Sequence, residues 1–258
     1  MQATDALWTE KWRHTPHPRV VEGRVPDIGS VGCDDEPVSS LWCACLAEAM
    51  GSHYREGMAV LDYGCGYGRF FNFLSGRLHT FRYYGLEVEG APSGHGDACL
   101  AYLDRCFAAD GRGRFSAIEG ALEREAIGKV NVVLLGSVFT HMDQEHLDRT
   151  FRKFLPVIAR GGVVVFSAMI GARYETSGPG FLLDMGPAFF QQVTYTERQL
   201  AEYFSAMSLR MVQAEVFHAP LERPPHHSTG GNMQTIYRVE AIDWLVGPGG
   251  LEPPTRPL

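Results

Sequence analysis

The chain has no long hydrophobic run. Its apolar stretch over 130–138 is broken by Gly136 and Ser137, well short of the roughly 20 apolar residues a membrane-spanning helix needs, so no such helix is expected. It lacks the basic start and apolar segment of an export signal, opening instead with Met1-Gln2-Ala3-Thr4-Asp5, and a cytoplasmic location is the expectation. It holds no Cys-x-x-Cys pair. The six cysteines stand at 33, 43, 45, 65, 99 and 106 without the Cys/His spacing of a zinc site, so no metal is expected and a reducing compartment fits. Cys43 and Cys45, two apart in a predicted helix, point to different faces, which leaves core packing as the reading of both. No cluster of Lys and Arg is present either. With a net charge of −7 the chain opposes polyanions, and nucleic acid is a poor expectation for the substrate.

What is present is enough apolar material, 45% of 258 residues, for one substantial core in a single domain. Residues 1–38 carry Pro16, Pro18, Pro26 and Pro37 among several glycines and read as an irregular arm that Trp8 and Trp12 could pin. Ser39 or Ser40 is predicted to cap a helix reaching about Met50, with Leu41, Cys45, Leu46 and Ala49 as its apolar stripe. Short apolar runs then alternate with amphipathic stretches. Strands are predicted over 58–63, 81–88, 115–119, 130–137 and 162–169, each separated by a segment able to form a helix, which is the order of parallel crossovers. The runs Val130-Asn131-Val132-Val133-Leu134-Leu135 and Val163-Val164-Val165-Phe166 are apolar on both faces, as central parallel strands are. Thr194 with Glu197 forms a capping-box pattern for a helix to about Met207. Strands over 209–217 and 234–240 close a domain spanning 39–245, and 246–258 read as a tail.

The chemistry concentrates after the first strand. Met58-Ala59-Val60-Leu61-Asp62-Tyr63 runs into Gly64-Cys65-Gly66-Tyr67-Gly68 and then a predicted helix over 69–78, the strand, glycine turn and helix of a nucleotide-binding half-fold. Glycines there let a ligand approach the backbone. Asp62 disfavours a pyrophosphate and tolerates an amino group or a sulfonium. The dinucleotide fingerprint would require glycine where Arg69 stands. Glu87 ends the second strand, where such a half-fold places a carboxylate on ribose hydroxyls.

Leu61-Asp62-Tyr63-Gly64-Cys65-Gly66-Tyr67-Gly68 resembles the first motif of class I, Rossmann-like S-adenosylmethionine-dependent methyltransferases, and Gly85-Leu86-Glu87 resembles their second. The similarity continues through Ser137-Val138-Phe139-Thr140-His141-Met142 and through Ile158-Ala159-Arg160-Gly161-Gly162-Val163-Val164-Val165-Phe166. The resemblance implies a three-layer α/β sandwich around a seven-stranded, mostly parallel sheet of order 3-2-1-4-5-7-6 with the last strand antiparallel. It also implies S-adenosylmethionine as cofactor and S-adenosylhomocysteine as product. The cofactor residues it indicates are Asp62, Gly64, Cys65, Gly66, Gly68, Glu87, Gly120, Ala121, Leu122 and Ser137. Two positions depart from the family pattern. Ile118-Glu119-Gly120-Ala121-Leu122 lacks the Asp that often meets adenine, so backbone groups or another side chain would serve. Asn131 replaces an Asp at the end of the fourth strand away from the ligand.

In an open parallel sheet the ligand edge lies beyond the carboxyl ends of the strands. Two long segments fall there. Residues 170–193 include Tyr174, Phe181, Phe189 and Phe190, and residues 218–232 include His226 and His227 beside Pro224 and Pro225. Either they roof an apolar pocket for a small-molecule acceptor, or their aromatics only pack the loops down. His141 is the first candidate for a general base; the alternative is a structural hydrogen bond near the helix start at Asp143. His226 and His227 are further candidates. A methyltransferase acting on oxygen or nitrogen of a small molecule is the expected function. The alternatives are an NAD(P)-dependent oxidoreductase, or a non-catalytic protein that binds the same cofactor.

Overall fold

The structure, a computed structural model, describes residues 36–87, 95–107, 109–118, 130–180, 190–218 and 233–241. Residues 1–35 of the predicted arm, the segments carrying Gly120, Ala121 and Leu122 and His226 and His227, and the tail lie outside them; residues 36–38, expected in the arm, belong to the first helix. Nine strands are described: β1 (Met58–Tyr63), β2 (Phe81–Glu87), β3 (Gly113–Ala117), β4 (Val130–Leu135), β5 (Ile158–Ile170), β6 (Glu175–Gly180), β7 (Phe190–Tyr195), β8 (Leu209–His218) and β9 (Met233–Ala241). The described helices are α1 (Glu36–Ala49), α2 (Arg69–Ser75), α3 (His95–Phe107), α4 (Gln144–Phe154) and α5 (Glu197–Ser205).

β3, β2, β1, β4 and β5 pair in that order and in parallel, and β9 lies antiparallel between β5 and β8. Counting β8 and β9 as sixth and seventh, this is the Rossmann-like order 3-2-1-4-5-7-6 with the last strand antiparallel. β6 and β7 are an addition to it. They form an antiparallel hairpin hung on the far end of β5, where Met169 pairs with Thr194 and Ile170 with Tyr195. The segment 170–193, expected as a loop, is therefore partly sheet.

The double-sided burial expected of the central strands follows from their alternation. Leu61, Val133, Leu135, Val164 and Phe166 enter the core on one face, with α4 and α5 contributing Phe151 and Phe204. Val60, Val132, Leu134, Val163 and Val165 enter the core on the other, against Trp42 and Leu46 of α1 and Phe70 and Phe71 of α2. Successive side chains on a strand point to opposite faces, so a run without polar residues requires cover on both. Cys43 is fully buried in the second core and Cys45 packs against it, as expected of both.

Two helix starts differ from the expectation. α1 begins at Glu36, which places Ser39 and Ser40 inside the helix and Pro37 in its first turn, where proline is tolerated because its missing N–H has no intrahelical partner. α5 is capped by Thr196 rather than Thr194: Gln199 N donates to Thr196 Oγ1 at 3.1 Å, and Thr196 N donates to Gln199 Oε1 at 3.2 Å. Thr194 is held in β7, a position suited to its β-branched side chain. No helix among the described residues is long and apolar enough to cross a membrane.

Candidate functional site

The turn from β1 to α2 is fastened to the neighbouring strand. Gly64 N and Cys65 N both donate to Leu86 O, at 2.8 and 3.0 Å, and Gly68 N returns to Cys65 O at 3.0 Å. Gly66 and Gly68 both have positive φ, 54° and 77°, a conformation glycine adopts without strain. Their surroundings differ. A Cβ on Gly68 would stand 2.5 Å from Leu103 Cδ2 of α3, so glycine there permits close packing; a Cβ on Gly66 would meet nothing within 4 Å. The backbone at Gly66 borders open space at the carboxyl edge of the sheet.

Glu87 closes this turn from the end of β2. Its Oε2 accepts the Gly66 N–H at 2.7 Å, and the residue is only 8% exposed. Two residues singled out from sequence for one ligand are thus in direct contact. Asp62, at the end of β1, points into the core, where the Tyr83 hydroxyl of β2 donates to its Oδ2. Burial, together with the neighbouring Glu87 charge, pushes the Asp62 carboxyl up to about 7 against the opposing pull of the Tyr83 hydrogen bond and Arg69. The Cys65 thiol is likewise pushed up, by burial and then by Glu87, which makes it a packing group rather than a nucleophile.

On the far side of β1, the chain leaving β4 makes a tight polar turn. Ser137 has φ 60°, its N–H donates to Ser167 Oγ of β5 at 2.7 Å, and its carbonyl accepts Thr140 Oγ1 at 2.9 Å. A 3-10 turn, Phe139–His141, brings the backbone of His141 to this edge; its side chain is outside the described set. Asp143 then caps α4, accepting His146 N at 2.9 Å, so the helix start beside His141 is as expected. The hairpin supports the same turn. Tyr195 Oη of β7 donates to Met142 O at 2.5 Å, and Tyr174 packs on Tyr195 with ring centroids 5.5 Å apart.

Four supporting residues stand outside the sequence motifs: Tyr83, Ser167, Tyr195, and Gln234, whose Oε1 accepts the Ser167 hydroxyl at 2.6 Å. Only Ser167 carried a signal, as a polar residue inside the apolar run of β5. Among the described residues no group of three or more His, Cys, Asp or Glu is arranged to hold a metal ion.

No protein-family model matches the chain, and no curated protein matches it. Solved structures do. A Burkholderia thailandensis 1,6-didemethyltoxoflavin-N1-methyltransferase, bound to its acceptor and S-adenosylhomocysteine, is 16% identical with a TM-score of 0.55, over 79% of this chain and 80% of that one. A Leishmania major S-adenosylmethionine-dependent methyltransferase is 15% identical with a TM-score of 0.57, over 91% and 82%. The [4+2]-cyclase SpnF is 14% identical with a TM-score of 0.51, over 78% and 80%. The chain has the fold of class I S-adenosylmethionine-dependent methyltransferases.

The buried Asp62 carboxyl has a consequence for stability. Its folded value, about 7, lies above the roughly 3.9 of an unfolded aspartate. The folded state therefore holds the proton more tightly, and this contribution to stability is complete below about pH 4 and lost as pH rises to about 7. Asn at this position still accepts the Tyr83 hydroxyl but cannot ionise. Melting temperatures of the ligand-free protein between pH 4 and 8 should show Asp62→Asn gaining on wild type as pH rises; parallel curves would contradict this.

Proposed function

We propose that the chain is an S-adenosylmethionine-dependent methyltransferase acting on an oxygen or nitrogen of a small-molecule acceptor. The observation that carries the reading is the contact of Glu87 with Gly66 at the open edge of β1 and β2. A carboxylate at the end of β2 suits vicinal ribose hydroxyls, which are donors, and would repel a phosphate. The side of Gly66 that a Cβ would fill is open, which suits a ligand lying against the backbone. In the same reading Gly64, Cys65 and Gly68 shape the turn, the Asp62 carboxyl, raised to about 7 in the ligand-free chain, is drawn to its charged form by the cofactor's cationic end, and Gly120, Ala121 and Leu122 meet adenine through their backbone. When bound, the cofactor supplies a methyl carbon activated by a sulfonium and leaves as S-adenosylhomocysteine.

The residues beyond β4 and β5 then have to align the acceptor and take a proton where one must leave. We assign the acceptor side to the turn after β4, with His141 as base and His226 and His227 as the other candidates, and to the segments 170–193 and 218–232, with the arm before α1 as a cover. The net charge of −7 favours a small molecule over a nucleic acid. A dinucleotide is disfavoured by Arg69 at the fingerprint's third glycine position.

Adding the protein and methyl-labelled S-adenosylmethionine to an extract of its host should label a small metabolite. A labelled protein band would move the acceptor class, and cofactor binding without any labelling would favour a reaction other than methyl transfer. Glu87→Ala should weaken S-adenosylmethionine binding by about 1.5–3 kcal/mol, read by calorimetry; a loss below about threefold withdraws the ribose assignment. His141→Asn should keep cofactor affinity while lowering turnover by roughly 100-fold or more. Turnover per folded molecule near wild type would transfer the base to His226 or His227.

A further inference from the structure

Ser137 sits in a closed ring of hydrogen bonds with Ser167 and Gln234. Ser137 N donates to Ser167 Oγ at 2.7 Å, and Ser167 Oγ donates to Gln234 Oε1 at 2.6 Å. The second distance is typical of O–H···O and short for N–H···O, which fixes the amide with its oxygen toward Ser167. Gln234 Nε2 then lies toward Ser137 Oγ, 3.2 Å away. The Ser137 carbonyl is taken by Thr140. Both backbone groups of Ser137 are thereby held by side chains, and its Oγ receives an N–H. The Ser137 hydroxyl proton is the group in the ring that can turn outward, with Gln234 Oε1, also at 3.2 Å, as its resting partner.

This arrangement costs stability. Ser137 holds a left-handed backbone, uncommon for a residue with a Cβ, and Ser167 is fully buried, which is unfavourable for a hydroxyl unless it is bonded. Glycine at 137 and alanine at 167 would make a plain turn with neither expense. The strand order supplies a use. β2, with Glu87, and β4, with Ser137 beyond it, flank β1 on opposite sides. A ligand whose ribose meets Glu87 and which crosses Gly66 brings its other end toward Ser137. In the cofactor proposed above that end is an amino acid, whose carboxylate accepts an O–H.

We propose that Ser167 and Gln234 are positioning residues that hold Ser137 as a hydrogen-bond donor to the amino-acid end of the cofactor; the proposal rests on the function proposed above. Calorimetric titration of the full chain with S-adenosylhomocysteine and with 5′-methylthioadenosine, which lacks the amino-acid end, tests it. Ser137→Ala, Ser167→Ala and Gln234→Leu should each weaken S-adenosylhomocysteine binding by about tenfold and leave methylthioadenosine binding unchanged. The Ser137→Ala/Gln234→Leu double variant should be no weaker than either single one. Ser137→Ala removes the hydroxyl and leaves both backbone bonds of Ser137 in place, and it carries the test if a Ser167 or Gln234 variant does not fold. Ser137→Ala binding both ligands as wild type does, or losing both in parallel, overturns this inference alone. A wild-type chain that binds neither ligand overturns the proposed function and this inference with it.

Discussion

The hydrogen bond from Gly66 N to the Glu87 carboxylate ties together two parts of the sheet's carboxyl edge. It joins the glycine turn after β1 to the end of β2, and it can form only because the two strands are parallel neighbours with Tyr63 level with Leu86. The turn in turn depends on Gly68, whose missing side chain lets α2 start against Leu103 and Phe107 of α3. Loss of either constraint would let the turn relax away from β2 and separate the carboxylate from the space beside Gly66. A buried carboxylate is costly unless it is bonded. Here the backbone N–H supplies a bond whose direction is set by the fold rather than by a mobile side chain.

The same edge has a second support, built from different parts. Beyond β4 the backbone is held by Ser167 and Gln234 from β5 and β9, and by Tyr195 from the added hairpin. Phe139 in that turn packs on Phe166 at 4.7 Å between ring centroids, and Phe166 packs on Phe204 and Tyr237. The turn that carries His141 is thus anchored in the larger core. In the proposals above, ribose recognition rests on β1 and β2, while the turn after β4, held by β5, β9 and the hairpin, serves both the cofactor's amino-acid end and the acceptor; the fold alone does not fix that acceptor.

Much of this was legible in the residues. β1 has the predicted bounds, and the central position of β4 and β5 followed from runs with no polar face. The strand order came from the family resemblance and not from periodicity. What stayed hidden has physical reasons. The start of α1 is hidden because Ser39 and Ser40 look like caps and Pro37 looks like a breaker, although proline is at home in a first helical turn. The hairpin of β6 and β7 is hidden because Gly171, Gly178, Pro179 and Gly180 interrupt the alternation that marks a strand. Glu87 and Gly66 stand out in the sequence through the strand, glycine turn and helix pattern and the family resemblance, and the structure brings the two into contact. Tyr83 and Gln234 do not stand out, because their contacts join residues distant in sequence and leave no local pattern.

Amide hydrogen exchange with and without S-adenosylhomocysteine tests the central claim most directly, because it reports where the ligand meets the chain. The account predicts added protection in the turn from Gly64 to Gly68, at the end of β2 around Glu87, and at Ser137, with β3 and β8 unchanged. Protection that spares the glycine turn, or no change at a saturating ligand concentration, would contradict it.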